Sequence, residues 1–189
     1  YAYYRVQSQY VARDETNLCR IDSYVSQETV LLLDATDSFT DSHQETVLNY
    51  LREMLRISEQ DEKFTLYSLN DNPDTFQPTL SICNPGDGQD LSDLTAPVKL
   101  IAETWEQDFY QVIVAAVEKL MRGGEAENSP IMEMFKFVGI RSIFESTAPE
   151  KRIVVVSDMV EHSSSYSQYT QSVDFQTLKD SPYFREVRP

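Results

Sequence analysis

Val30-Leu31-Leu32-Leu33-Asp34-Ala35-Thr36-Asp37-Ser38 is the stretch that decides how this chain is read. Its first four residues are apolar without alternation, the pattern of a strand covered on both faces. A carboxylate and two hydroxyls then recur at every second position, Asp34, Thr36 and Ser38. A buried parallel strand delivers its next residues to the carboxyl edge of the sheet, where open α/β folds bind ligands. Oxygen-bearing side chains gathered there suit a hard divalent cation.

Working outward, a second run of the same kind, Ile153-Val154-Val155-Val156, ends in Ser157-Asp158. Between the two runs, Val47, Leu48, Leu51, Met54 and Leu55 share one helical face, and Ser42-His43-Gln44-Glu45 reads as a capping box ahead of them. Phe64 to Leu69 and Thr79 to Ile82 read as a hairpin around the turn cluster Asn70 to Asp74. A long helix is predicted from Pro97 to Met121, closed by Gly123-Gly124. Ser129-Pro130 opens the next, with Ser129 as cap and Pro130 at the first helical position; its apolar residues include Ile131, Met134, Phe135, Val138, Ile143 and Phe144. A weak helical signal follows near Phe175 to Leu178. Strand, helix, hairpin, two helices and strand make an α/β pattern with a mainly parallel sheet. Residues 1–28 read as an extended arm and 29–189 as a single domain.

Composition narrows the function classes. Against 31 acidic residues stand 16 basic ones, a formal charge of −15. That opposes binding to a phosphate backbone, which needs Lys/Arg clusters, and leaves room for a cation site or a basic partner surface. No run is long and apolar enough to span a membrane. Cys19 and Cys83 are the only cysteines. In a reducing compartment both would be small buried hydrophobes; in an oxidising one they would pair across a long loop. The chain opens at Tyr1 rather than Met, so localisation stays unknown with an extracytoplasmic or periplasmic setting favoured, and the expectation is a pair. His43 and His162 are expected at the surface or at helix caps, and Trp105 in the core.

These residues, in this order, resemble the von Willebrand factor type A (vWA) family. Its members carry D-x-S-x-S after the first strand, a Thr or Ser ahead of a middle helix, and an Asp after the fourth strand. Asp34, Thr36 and Ser38 stand in the first motif, Ser129 in the second position and Asp158 in the third. The resemblance covers about residues 29–160. It implies a Rossmann-like vWA fold: a mainly parallel central sheet with one antiparallel edge hairpin and helices on both faces. It also implies a metal-ion-dependent adhesion site holding Mg²⁺ or Mn²⁺ at Asp34, Thr36, Ser38, Ser129 and Asp158. A protein partner would complete the shell with an acidic side chain, and no catalysis is expected. Three departures stand out: Asp37 adds a carboxylate, Met159 replaces a frequent Gly, and 31 residues remain after Asp158 where the family adds two strands. A sheet shortened at its C-terminal side, or a chain that continues beyond this one, would account for the last.

Two other readings share these residues. In one, they cap strands and helices of a metal-free vWA-like scaffold. In the other, the chain is a metal-dependent phosphoester hydrolase. The phosphatase form of that chemistry needs D-x-D, and Thr36 in the second position does not readily deliver a proton. If the metal reading holds, Asp34→Ala is expected to abolish cation-induced stabilisation while melting no lower than wild type without metal.

Overall fold

The computed structural model describes residues 11–36, 39–69, 76–89, 91–92, 96–123, 128–140, 146–170 and 174–188. Residues 1–10, Asp37, Ser38, the turn cluster Asn70 to Asp74, Gly124, Ile143 and Phe144 lie outside them.

Among the described residues the protein is an α/β structure around a four-stranded mixed sheet of order β3-β2-β1-β4. Strand β1 (Gln27–Leu33) pairs in parallel with β2 (Lys63–Ser68) on one side and with β4 (Glu150–Val156) on the other. Strand β3 (Leu80–Cys83) closes the far edge, antiparallel to β2. Being central explains why β1 is continuously apolar: neither face meets water.

Each face of β1 meets its own core. Leu31 and Leu33 pack with Phe64 and Leu66 against α1 (Asp41–Arg56) and α3 (Gln111–Met121), through Leu48, Leu51, Leu55, Ile113 and Val117. Val30 and Leu32 pack with Tyr67 and Phe76 against Ile131, Met134 and Val138 of α4 (Ile131–Val138). Helices therefore cover both faces. Val47 and Trp105 border the first core as partly buried residues.

Strand β4 has one strand neighbour among the described residues, so Ile153 to Val156 are only half-buried despite their composition. The long predicted helix is α2 (Val98–Thr104) followed by a π-helical segment, Trp105–Tyr110, and then α3. The wider π turn brings Phe109 and Tyr110 into the core, while Trp105 Nε1 donates to Asn84 Oδ1 at 3.1 Å. The C-terminal signal resolves into two short helices, α5 (Phe175–Asp180) and α6 (Pro182–Val187). With Tyr166 they form a small third core against Met132 of α4.

Two caps differ from expectation. Helix α1 is capped by Thr40, whose side chain accepts from His43 N, so Ser42 lies inside the helix and there is no capping box. Helix α4 has Pro130 at its cap position and no side-chain cap, because the Ser129 hydroxyl is engaged elsewhere.

Cys19 and Cys83 form a disulfide. It fastens the stretch before β1 to the end of β3, beside a backbone bond from Cys83 N to Asn17 O at 2.9 Å.

Candidate functional site

Parallel pairing sets the site. The register places Leu33 beside Val156, so the residues that follow, Asp34 and Ser157, leave the sheet side by side at its carboxyl edge. Asp34 N donates to Val156 O at 2.8 Å, which keeps the two strand ends together.

The Asp34 carboxylate is buried, at 7% exposure, and four donors surround it. Its Oδ1 accepts from Thr36 N at 3.2 Å and Thr36 Oγ1 at 2.7 Å. Its Oδ2 accepts from Ser129 Oγ and Ser157 Oγ, each at 2.8 Å. No ion pair among the described residues includes Asp34. The charge is thus held by hydroxyls and one amide, which compensates part of its desolvation.

Ser129 is held from a second direction. Its backbone N–H donates to His162 O at 2.6 Å and its carbonyl accepts from His162 N at 3.0 Å. That two-bond bridge fixes the segment before α4 against the segment after β4. The His162 ring is directed to Ser167 Oγ at 2.8 Å and lies edge-on to Tyr169. His43 is exposed in the first turn of α1.

The structure thus gathers Asp34, Thr36 and Ser129 into one hydrogen-bonded cluster. Asp158 is exposed, and its Oδ1 accepts from Val160 N at 2.8 Å, folding onto its own loop. Ser38 lies outside the described residues. Ser157, which sequence reading passed over, is a full member of the cluster. Its signal was there: it follows an apolar parallel strand just as Asp34 does, and β1–β4 pairing makes the two neighbours.

Among the described residues, no three His, Cys, Asp or Glu side chains gather as a metal group. A cation here would rely on one or two carboxylates and on hydroxyls, the oxygen-only donor set that Mg²⁺ and Mn²⁺ accept. A hydroxyl that donates its proton to Asp34 keeps lone pairs on the oxygen, so Thr36, Ser129 and Ser157 retain ligand capacity while hydrogen-bonded.

Met159 adds a local oddity. It adopts φ +63° and is 57% exposed. Its N–H donates to Ser157 Oγ at 2.8 Å, which holds the turn. A left-handed backbone costs an L-residue roughly 1–2 kcal/mol that glycine does not incur. Glycine loses part of that advantage through its freer unfolded chain. Met159→Gly is expected to raise unfolding free energy by about 0.5–1 kcal/mol in urea melts. A lower midpoint would mean that the Met159 side chain itself stabilises the loop.

Compared with known proteins, this sequence matches no protein-family model and no curated protein.

Proposed function

We propose that this chain is a vWA-like, divalent-cation-dependent protein-interaction module without catalytic activity. The observation that carries the reading is the convergence of Asp34, Thr36, Ser129 and Ser157, from three separate segments, at the carboxyl edge of β1 and β4. Mg²⁺ or Mn²⁺ would be held there by Asp34 and the hydroxyls of Thr36, Ser38 and Ser129, with Asp158 turning inward from its exposed loop. Such a shell leaves coordination positions for water, and a partner's Asp or Glu side chain would replace one water. The −15 charge disfavours nucleic acid as that partner. Among the described residues no helix is long and apolar enough to cross a membrane. The disulfide fits an oxidising compartment.

A second reading has its own support. Asp34 is saturated by four donors and Asp158 is engaged with its own loop, as a metal-free scaffold would require. Thermal melting separates the two. A cation that binds only the native state stabilises by about 2.7 kcal/mol at a hundredfold excess over Kd. For a domain of this size that is roughly a 5–10 °C rise in Tm. The module reading expects this rise with Mg²⁺ or Mn²⁺ and its reversal by EDTA. No shift at millimolar cation would leave the scaffold reading standing. Metal-dependent turnover of a generic phosphoester would instead point to the hydrolase.

A further inference from the structure

A second cluster, independent of the metal reading, lies where α6 meets α4 and the segment after β4. Glu161 is 2% exposed. Its Oε2 accepts from Met132 N at 2.9 Å, which favours Oε1 as the oxygen to carry a proton. Its Oε1 lies 2.8 Å from the Tyr183 hydroxyl. The same hydroxyl also makes a short contact with Glu133 Oε2. Three oxygens therefore stand in a row, carboxylate, phenol and carboxylate, with two contacts at hydrogen-bond distance. Each contact needs one hydrogen, and the phenol has one to give.

We infer that one of the two carboxyl groups, Glu161, is protonated when α6 is docked, and that this proton latches the C-terminal helices onto α4. Glu161 Oε1–H donates to the Tyr183 oxygen, and Tyr183 O–H donates to Glu133. On loss of the proton, two carboxylates face one hydroxyl, and one contact becomes a repulsion between lone pairs.

Among the described residues no cation replaces it. No ion pair among the described residues includes Glu161 or Glu133. On α4, the Lys136 ammonium donates to the Glu186 carbonyl instead. The His162 ring is directed to Ser167 and Tyr169. The Ser163 side chain lies beside both Glu161 and Tyr183, and Gln168 Oε1 accepts from the Glu161 backbone N–H. Lys179, Asp180, Arg185, Glu186 and Arg188, from α5, α6 and the residue after it, are exposed. The rest of the contact is apolar or aromatic: Tyr166 stacks on Tyr183 at 5.4 Å, with Leu178, Val187 and Met132 around them. Burial, with a smaller contribution from the Glu133 charge, pushes the Glu161 carboxyl up to about 7, against the opposing bonds from Met132 N and Tyr183. Burial and the bond to Glu133 likewise raise the Tyr183 phenol.

The sign follows from proton linkage. A carboxyl whose folded value lies above its unfolded value, 4.5, contributes stability that is full below 4.5 and is lost as pH rises to about 7. Hydrogen exchange of the α6 amides on the whole protein, corrected for intrinsic rates, reads this directly. The opening constant of α6 is expected to rise more than about tenfold between pH 5 and 7 and then level off. Glu161→Gln mimics the protonated acid, with its oxygen toward Met132 N and its amide toward Tyr183. It should hold the opening constant within about twofold over the same range and exceed wild type in protection at pH 8. Because His162 is common to both proteins, the difference between them reports Glu161. A wild-type α6 whose opening is flat from pH 5 to 7 overturns the latch, as does a folded Glu161→Gln protein that opens like wild type at every pH.

Discussion

Replacing Cys19 and Cys83 together by serine is expected to lower the unfolding free energy by about 4 kcal/mol, the chain-entropy value for a loop of this length. The bond joins residues 64 apart, so its removal frees a long loop in the unfolded chain. Its native-state role is equally specific. The stretch before β1 holds two arginines on one buried carboxylate: Arg13 at 2.6 Å and Arg20 at 3.4 Å from Asp61. Asp61 itself adopts φ +67° at the turn into β2. Without the covalent tether those pairs must hold the stretch alone, and partly exposed ion pairs contribute little each. Denaturant melts of the double variant, with unreduced wild type as reference, read the loss. A difference under about 1 kcal/mol would mean that the unfolded chain is already constrained in this region.

The second large effect concerns Asp34. Asp34→Ala removes the acceptor of three hydroxyls and one amide from a buried position, and is expected to cost about 3 kcal/mol without any metal present. Sequence reasoning expects the opposite, a variant that melts no lower than wild type, because it treats Asp34 as one more charge in an acidic loop. The hydrogen bonds reverse that expectation: Asp34 is where β1, the segment before α4 and the segment after β4 are tied together. Asp158→Ala is the companion experiment. Asp158 is exposed, and among the described residues it bonds to Val160 N within its own loop, so its loss is expected within about 0.5 kcal/mol of wild type. If the metal module is right, both variants lose the Mg²⁺ response, and only Asp34→Ala loses basal stability. A full cation response in Asp158→Ala would remove that residue from the proposed shell. A basal loss under about 1 kcal/mol in Asp34→Ala would mean that water replaces the carboxylate without cost.

The strands and helices near the site could be read from the chain because their signals are local. Val30 to Leu33 is apolar on both faces because β1 is central, and the 3.6-residue spacing from Val47 to Leu55 needs no partner to be seen. The hairpin of β2 and β3, and the pairing of Cys19 with Cys83 in an oxidising setting, were likewise within reach of pattern and count. Several departures involve polar groups whose partners lie far along the chain. Ser129 reads locally as a helix cap, yet its hydroxyl goes to a carboxylate 95 residues away. Ser157 follows an apolar strand as Asp34 does, but nothing local names its partner, which is 123 residues distant. Glu161 carries no local signal of burial, yet α4 and α6 close over it. Apolar periodicity is a property of one segment, so sequence alone marks these segments as strand or helix, while how far each is buried depends on its neighbours, as half-buried β4 shows. A buried hydroxyl or carboxyl must find its hydrogen-bond partner wherever packing leaves one, and only the tertiary structure decides which groups meet.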